Sequence, residues 1–284
     1  MQPISQITVP IAVIVIGAGA LHAAWNAIAK YLDDRLAAFA LIGVASTLGG
    51  GAVLALTGLP YRASIGFAVA SATIHIGYEL ALMNSYRLGA FNQVYPIARG
   101  TSPLLVAFGA YVLVGEHLDA VPLAGVVILA AGLGSLALSS GRLTGSELPA
   151  VAAAAVTGLA IAGYTIVDGL GVRRAHDPYA YAGLLFFLMG PVFPVIAAFR
   201  RPAISWLTGR AAGQGLLAGT LSLTAYGIVL WAQTRAPLAE VAAIRETSVV
   251  FAALIGMRLF AERFGVRRLA AACLVAAGIV LISA

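Results

Sequence analysis

Apolar residues run along this chain in long blocks divided by short polar connections, without the period-two alternation of half-buried strands. The pattern predicts ten apolar segments, at about 9–30, 36–58, 64–87, 92–115, 120–140, 147–171, 178–199, 213–235, 238–261 and 267–283. Each is close to the roughly 20 residues that carry a helix across a hydrocarbon core of about 30 Å. They are too long for strands of a membrane barrel. The expected fold is all-α integral membrane, with ten transmembrane helices. Pro10, Pro122, Pro149, Pro178 and Pro237 stand at or near helix starts, where a missing N–H costs little. Pro96, Pro103, Pro191 and Pro194 fall inside segments and predict kinks.

The blocks repeat. Aligning Tyr78 with Tyr226 brings Arg87 onto Arg235. After a two-residue adjustment Arg99, Thr101, Ser102, Leu113 and Glu116 fall on Arg245, Thr247, Ser248, Leu259 and Glu262. Further on, Leu123, Ala124, Ala130, Ala131 and Gly132 match Leu269, Ala270, Ala276, Ala277 and Gly278; earlier helices align weakly, as Trp25 with Tyr164. Residues 1–142 and 145–284 are therefore expected to be two five-helix repeats. Five is odd, so the second repeat enters the membrane with opposite orientation. Inverted repeats of this kind place a solute site at the repeat interface near the midplane.

Polar residues inside the blocks mark that interface. An arginine at the centre of a span costs about 2.5–3.5 kcal/mol on insertion scales, so an intramembrane charge signals a function or a partner. His22, Trp25, Asn26 and Lys30 share one face of the first helix; His75, Tyr78 and Glu79 one face of the third. Asn92, Tyr95, Arg99 and Ser102 line the fourth, Tyr164 and Asp168 the sixth, Tyr226 and Gln233 the eighth, and Arg245, Glu246 and Ser248 the ninth. The second, fifth, seventh and tenth segments lack ionisable residues in their middles and read as scaffold or lipid-facing. The candidate solute site is His75, Tyr78, Glu79, Tyr95, Arg99, Tyr164, Tyr226, Arg245 and Glu246. Arg99 is expected to meet the anionic group of a solute, with Arg245–Glu246 as a structural or gating pair; the rival is Arg99 held by Glu246 or Glu79. Glu79 with His75 is the expected carrier if protons drive transport. Trp25 and the tyrosines have a second reading as interfacial aromatics. Glu116 and Glu262 read as structural loop residues.

Composition narrows the classes. The chain has 284 residues, 61% hydrophobic and only 10% charged, with mean hydropathy +0.96, which excludes an ordinary soluble domain. Its net charge of +6 is scattered, with no basic run for nucleic acid. Cys273 stands alone, so neither an internal disulfide nor a cysteine metal site is expected. No cofactor is implied. Hydrolase, zincin and phosphate-loop motifs are missing, and His75 with Glu79 supplies too few ligands for a metal. The first Lys or Arg is Lys30, so the first apolar segment lacks a basic leader and is expected to stay as a span. Lys and Arg are denser in connections after odd-numbered segments, which by the positive-inside rule puts both termini outside.

Two five-helix halves, each closing with Gly115-Glu116 or Ala261-Glu262 before a Gly-containing last helix, resemble the EamA-type transporters of the drug/metabolite transporter (DMT) superfamily. Tyr95-Pro96-Ile97-Ala98-Arg99-Gly100-Thr101-Ser102-Pro103 is similar to the fourth-helix motif of one branch. The resemblance implies a bacterial inner-membrane carrier, often an exporter, working by alternating access on amino acids, other metabolites, sugar derivatives or drugs. It also implies cytoplasmic termini, against the charge count, so orientation stays open. The related four-helix multidrug carriers bind cations through a first-helix glutamate; here that helix has His22 and Asn26. Arginines with acids nearby fit an amphoteric solute such as an amino acid. The alternatives are an organic-anion or phosphonate-type carrier, an intramembrane enzyme on lipid-linked substrates, and a scaffold. The expected partners are the bilayer, a small solute and, if transport is coupled, protons; a monomer is sufficient.

Overall fold

The computed structural model describes residues 6–32, 34–88, 91–137, 148–200, 209–260 and 266–283. Among these the chain is helical: α1 (Val9–Tyr31), α2 (Arg35–Thr57), α3 (Arg62–Leu88), α4 (Phe91–Gly109), α5 (Ala120–Ala137), α6 (Leu148–Val172), α7 (Pro178–Met189), α8 (Val192–Arg200), α9 (Gly209–Gln233), α10 (Leu238–Arg245), α11 (Ser248–Phe260) and α12 (Val266–Ile282). Among the described residues six stretches are long and apolar enough to cross a membrane: Val9–Ala29, Leu36–Thr57, Ile97–Val114, Leu148–Val172, Pro178–Arg200 and Gly209–Gln233. Shorter apolar helices run over Ala120–Ser135 and Ala270–Ile282.

The ends follow local chemistry. Asp34 caps α2 by accepting from Ala37 N at 3.2 Å, and Asp177 caps α7 by accepting from Tyr179 N at 2.8 Å, with Pro178 in the first turn. α4 runs into a π-helical turn over Ala110–Val114, closed by Gly115 at φ 74°, a left-handed position that glycine adopts without strain.

Two expected spans are broken. The seventh segment divides between α7 and α8 at Gly190-Pro191, as its prolines predict. The ninth divides between α10 and α11 at Glu246-Thr247, where only an unbroken helix was expected. No proline lies at that second break. Glu246 N bonds Ala243 O and Thr247 N bonds Ile244 O, both at 3.0 Å, so the ladder tightens to three-residue steps before α11 starts.

Backbones meet at glycines. A Cβ on Gly43 of α2 would collide with Gly190 O, and one on Gly190 with Gly43 O; Gly50 and Gly183 stand in the same relation. Rising numbers on α2 meet falling numbers on α7, so these helices are antiparallel. α5 and α12 cross the same way, Gly125 against Gly278 O and Gly132 against Ala271 O. α1 packs on the α10–α11 break through Gly19, against Thr247 Oγ1. α6 packs on α4 through Gly158, against Thr101 Oγ1. Lipid removes most of the hydrophobic drive between helices, so close contacts of this kind supply much of the packing energy. The largest buried cluster joins α1, α5, α9, α10 and α12 through Val15, Leu129, Val229, Ile244 and Val275.

Candidate functional site

The break after α10 turns two adjacent charged side chains into the bundle. Glu246 is wholly buried, Arg245 is 3% exposed, and Arg99, from α4, is 4% exposed. Arg99 Nη1 donates to Glu246 Oε1 at 3.2 Å and lies 3.4 Å from Oε2. Its Nη2 meets His22 Nε2 of α1. Arg245 Nη2 lies 3.7 Å from the same Glu246 Oε1, beyond hydrogen-bonding distance. Arg245 Nε and Nη2 have no hydrogen-bond partner. The hydroxyls of Ser102, Thr247 and Ser248, all from the two Arg-x-Thr-Ser motifs, are buried and equally without partners.

This geometry revises the expected roles. Glu246 belongs first to Arg99, the rival reading of the sequence, and only loosely to Arg245. Sequence adjacency suggested the opposite pairing. Neighbouring residues at a helix end point in different directions, and here the carboxylate reaches across to α4.

Beside Arg245 lies an aromatic cluster. The Arg245 guanidinium carbon is 5.9 Å from the Tyr164 ring centre, within cation–π range. His75 of α3 stacks on Tyr164 with ring centres 3.8 Å apart and meets Tyr226 edge-on at 5.3 Å. Tyr78 meets Tyr164 edge-on at 5.5 Å, and Phe186 meets Tyr226 at 6.3 Å. Below the rings, wholly buried Asp168 accepts from Tyr181 Oη at 2.9 Å and from Tyr226 Oη. The Ser71 hydroxyl is 3.2 Å from His75 Nδ1.

Of the sequence candidates, Arg99, Arg245 and Glu246 form the charged group, and His75, Tyr78, Tyr164 and Tyr226 the ring cluster. Glu79 is half-buried on α3 and makes no hydrogen bond or ion pair among the described residues; His75 bonds Ser71 and not Glu79. The Tyr95 side chain and Glu262 lie outside the described residues. The seventh segment is not mere scaffold, because Tyr181 of α7 bonds Asp168. An isolated tyrosine in an apolar block gives no sign of which carboxylate it will meet. His22 and Asp168 stand on the polar faces of the first and sixth segments, outside the candidate site that the sequence indicates. Asp168 sits one turn from Tyr164, and that spacing was the available signal.

A second polar group ties helix ends together. Gly115 turns Glu116 so that its Oε2 accepts from Leu238 N at 2.8 Å, capping α10, while Arg173 Nη1 lies 2.5 Å from Oε1. Arg173 also donates to Gln233 O at 2.7 Å and Ala236 O at 3.0 Å. This clasp joins the ends of α4, α6 and α9 to the start of α10, in keeping with the structural reading of Glu116.

Comparison with known proteins bears on the fold and its class. Residues 148–284 match the model of the EamA-like transporter family. A protein of known crystal structure superposes with TM-score 0.74, covering 95% of this chain and 94% of that one at 17% identity, a likeness of fold alone. No curated protein matches the chain.

Proposed function

We propose that this chain, whose residues 148–284 match the EamA-like transporter family, is a membrane transporter of the DMT superfamily that exports amino acids or similar amphoteric metabolites across a bacterial inner membrane. The reading includes ten membrane crossings in two inverted five-helix repeats and alternating access about the buried charged layer. The observation that carries it is Arg245, a buried guanidinium at a helix break with Nε and Nη2 unbonded. Buried donors without partners are costly. A solute carboxylate would satisfy them in the two-pronged geometry that guanidinium favours. Broken helices at the repeat interface are where carriers of this architecture hold solutes.

The packing supports the inverted repeat. Gly19 against Thr247 and Gly158 against Thr101 are the same contact with the halves exchanged, given the alignment of Trp25 with Tyr164 and of Thr101 with Thr247. The pairs Gly43–Gly190 and Gly50–Gly183, and Gly132–Ala271 and Gly125–Gly278, exchange in the same way. Antiparallel α2 with α7, and α5 with α12, are what opposite orientation of the repeats requires.

The test is counterflow into proteoliposomes with labelled amino acids, organic acids and cationic dyes. At least one amino acid should exchange, and Arg245→Ala should abolish that exchange. Exchange of dyes only, unaffected by Arg245→Ala, would refute the reading; exchange of organic acids but not amino acids would favour the organic-anion alternative. Accumulation in energised inside-out vesicles tests the direction.

A further inference from the structure

The structure assigns Asp168 as a proton-binding site that is loaded when an anionic group occupies Arg245, so that anions cross together with a proton and zwitterions cross without one. This rests on the solute reading of Arg245 for its coupling, and on geometry alone for the site.

Charge balance motivates it. The fully described buried charges of the central layer are Arg99 and Arg245 against Glu246 and Asp168. Arg99 is committed to Glu246. Arg245 is then the remaining cation that offsets Asp168, across the Tyr164 ring. A carboxylate on Arg245 takes that compensation away and leaves a buried anion in excess. Unpaired buried charge is too costly to persist, and the inexpensive remedy is a proton. A zwitterion brings its own positive charge and needs none.

Geometry selects the ligand. The rings of His75, Tyr164 and Tyr226 meet pairwise, with centres 3.8–6.0 Å apart, Phe186 meets Tyr226 at 6.3 Å, and Asp168, bonded to Tyr226, is wholly buried. Tyr181 and Tyr226 donate to its two oxygens, and among the described residues no group of three His, Cys, Asp or Glu side chains stands there to complete a metal site. A proton is the one cation that fits. His75 and Ser71 are the polar groups beside the cluster: Ser71 Oγ lies 3.2 Å from the imidazole Nδ1, and the imidazole stacks on Tyr164. On loading, the carboxylate becomes a carboxylic acid. The oxygen that accepted from Tyr226 now carries the proton and donates it, and the Tyr226 hydroxyl turns to accept.

Every element around Asp168 presents an ionisable or charged group: Tyr164 on its own helix, His75 on α3, Tyr181 on α7, Tyr226 on α9 and Arg245 on α10, with Arg99 and Glu246 paired beyond. Glu79 on α3 is the competing proton site, and the experiment must separate the two.

Infrared difference spectra of the full chain in lipid, taken across pH, read protonated carboxyls directly. A band that titrates should vanish in Asp168→Asn, persist in Glu79→Gln and shift in Tyr226→Phe, which removes one hydrogen bond and keeps the acid. Propionate and alanine, which differ by an amino group, are the probes. Propionate should populate the band, with uptake of about one proton per anion bound; alanine should leave it unchanged. Loss of the band in Glu79→Gln, its survival in Asp168→Asn, or a response to sodium in place of pH would overturn the assignment. Equal proton uptake with both probes would overturn the coupling. If neither probe binds, the titration in the variants still decides the site, and the solute reading of Arg245 is what fails.

Discussion

The two Arg-x-Thr-Ser motifs are the same sequence used in opposite ways. Arg99 is quenched: Glu246 accepts from one nitrogen and His22 meets another. Arg245 is exposed to the interior of the bundle with two nitrogens unbonded and a tyrosine ring alongside. The difference arises in the backbone. Arg99 lies within continuous α4, whereas Arg245 ends α10 at a break. A continuous helix holds its side chain against a fixed neighbour. At the break the amides of Glu246 and Thr247 stay bonded to Ala243 O and Ile244 O, so what the helix end leaves for an arriving solute is the Arg245 side chain. The two motifs supply two arginines, and the helix break makes one of them available.

The largest effect on transport should therefore fall on the second motif. Arg245→Lys keeps the charge and loses the planar pair of donors. Counterflow of a carboxylate solute should drop by roughly 100-fold, in line with 2–3 kcal/mol for a charge-assisted pair, with little change in thermal stability. Arg99→Lys should do less to transport and more to stability. Reversal of that ranking would dissolve the contrast between the motifs.

Glu246→Gln comes next. It strands Arg99 and should destabilise by about 3–5 kcal/mol, read as a fall in melting temperature in detergent. Arg99→Met with Glu246→Leu should recover much of that loss, because both charges leave together. A double variant less stable than Glu246→Gln would show that this pair is not what holds α4 to the break.

The glycine contacts test the symmetry beneath the contrast. Gly19→Val and Gly158→Val should each cost about 1–3 kcal/mol, by overpacking α1 on Thr247 and α6 on Thr101. Similar losses fit two-fold packing. A loss at one position only would mean that the repeats differ in their scaffold as well as in their arginines.

The sequence showed the spans and the polar faces because membrane length and helical period leave direct marks on residue order. Matched arginines are the mark on which the proposed repeat rests. The break at Glu246-Thr247 left no such mark: no proline or glycine stands there, and packing of Gly19 against Thr247 is a tertiary fact. Partner choice was equally hidden. Glu246 adjoins Arg245 in sequence and serves Arg99 across 147 positions. Tyr181 was hidden because one hydroxyl in an apolar block does not say what it will meet.

The smallest effect is the most specific to the quenched side. His22 faces two donors, since Trp25 Nε1 lies 3.2 Å from its Nδ1 and Arg99 Nη2 meets its Nε2. A neutral imidazole has one accepting nitrogen, so both bonds cannot be made together. One donor is always opposed by an N–H. Removing the weaker claimant relieves the conflict. Trp25→Phe deletes a hydrogen bond yet should leave stability within about 1 kcal/mol of the parent or slightly above it, because a neutral bond is worth about that much and its loss frees Nε2 to accept from Arg99. His22→Phe removes the acceptor altogether and should cost about 1–3 kcal/mol for the donor left unsatisfied. Melting temperatures of the two variants and their double form the check. If Trp25→Phe proves as costly as His22→Phe, His22 serves Trp25 and not Arg99, and the hold on Arg99 comes from Glu246 without help from α1.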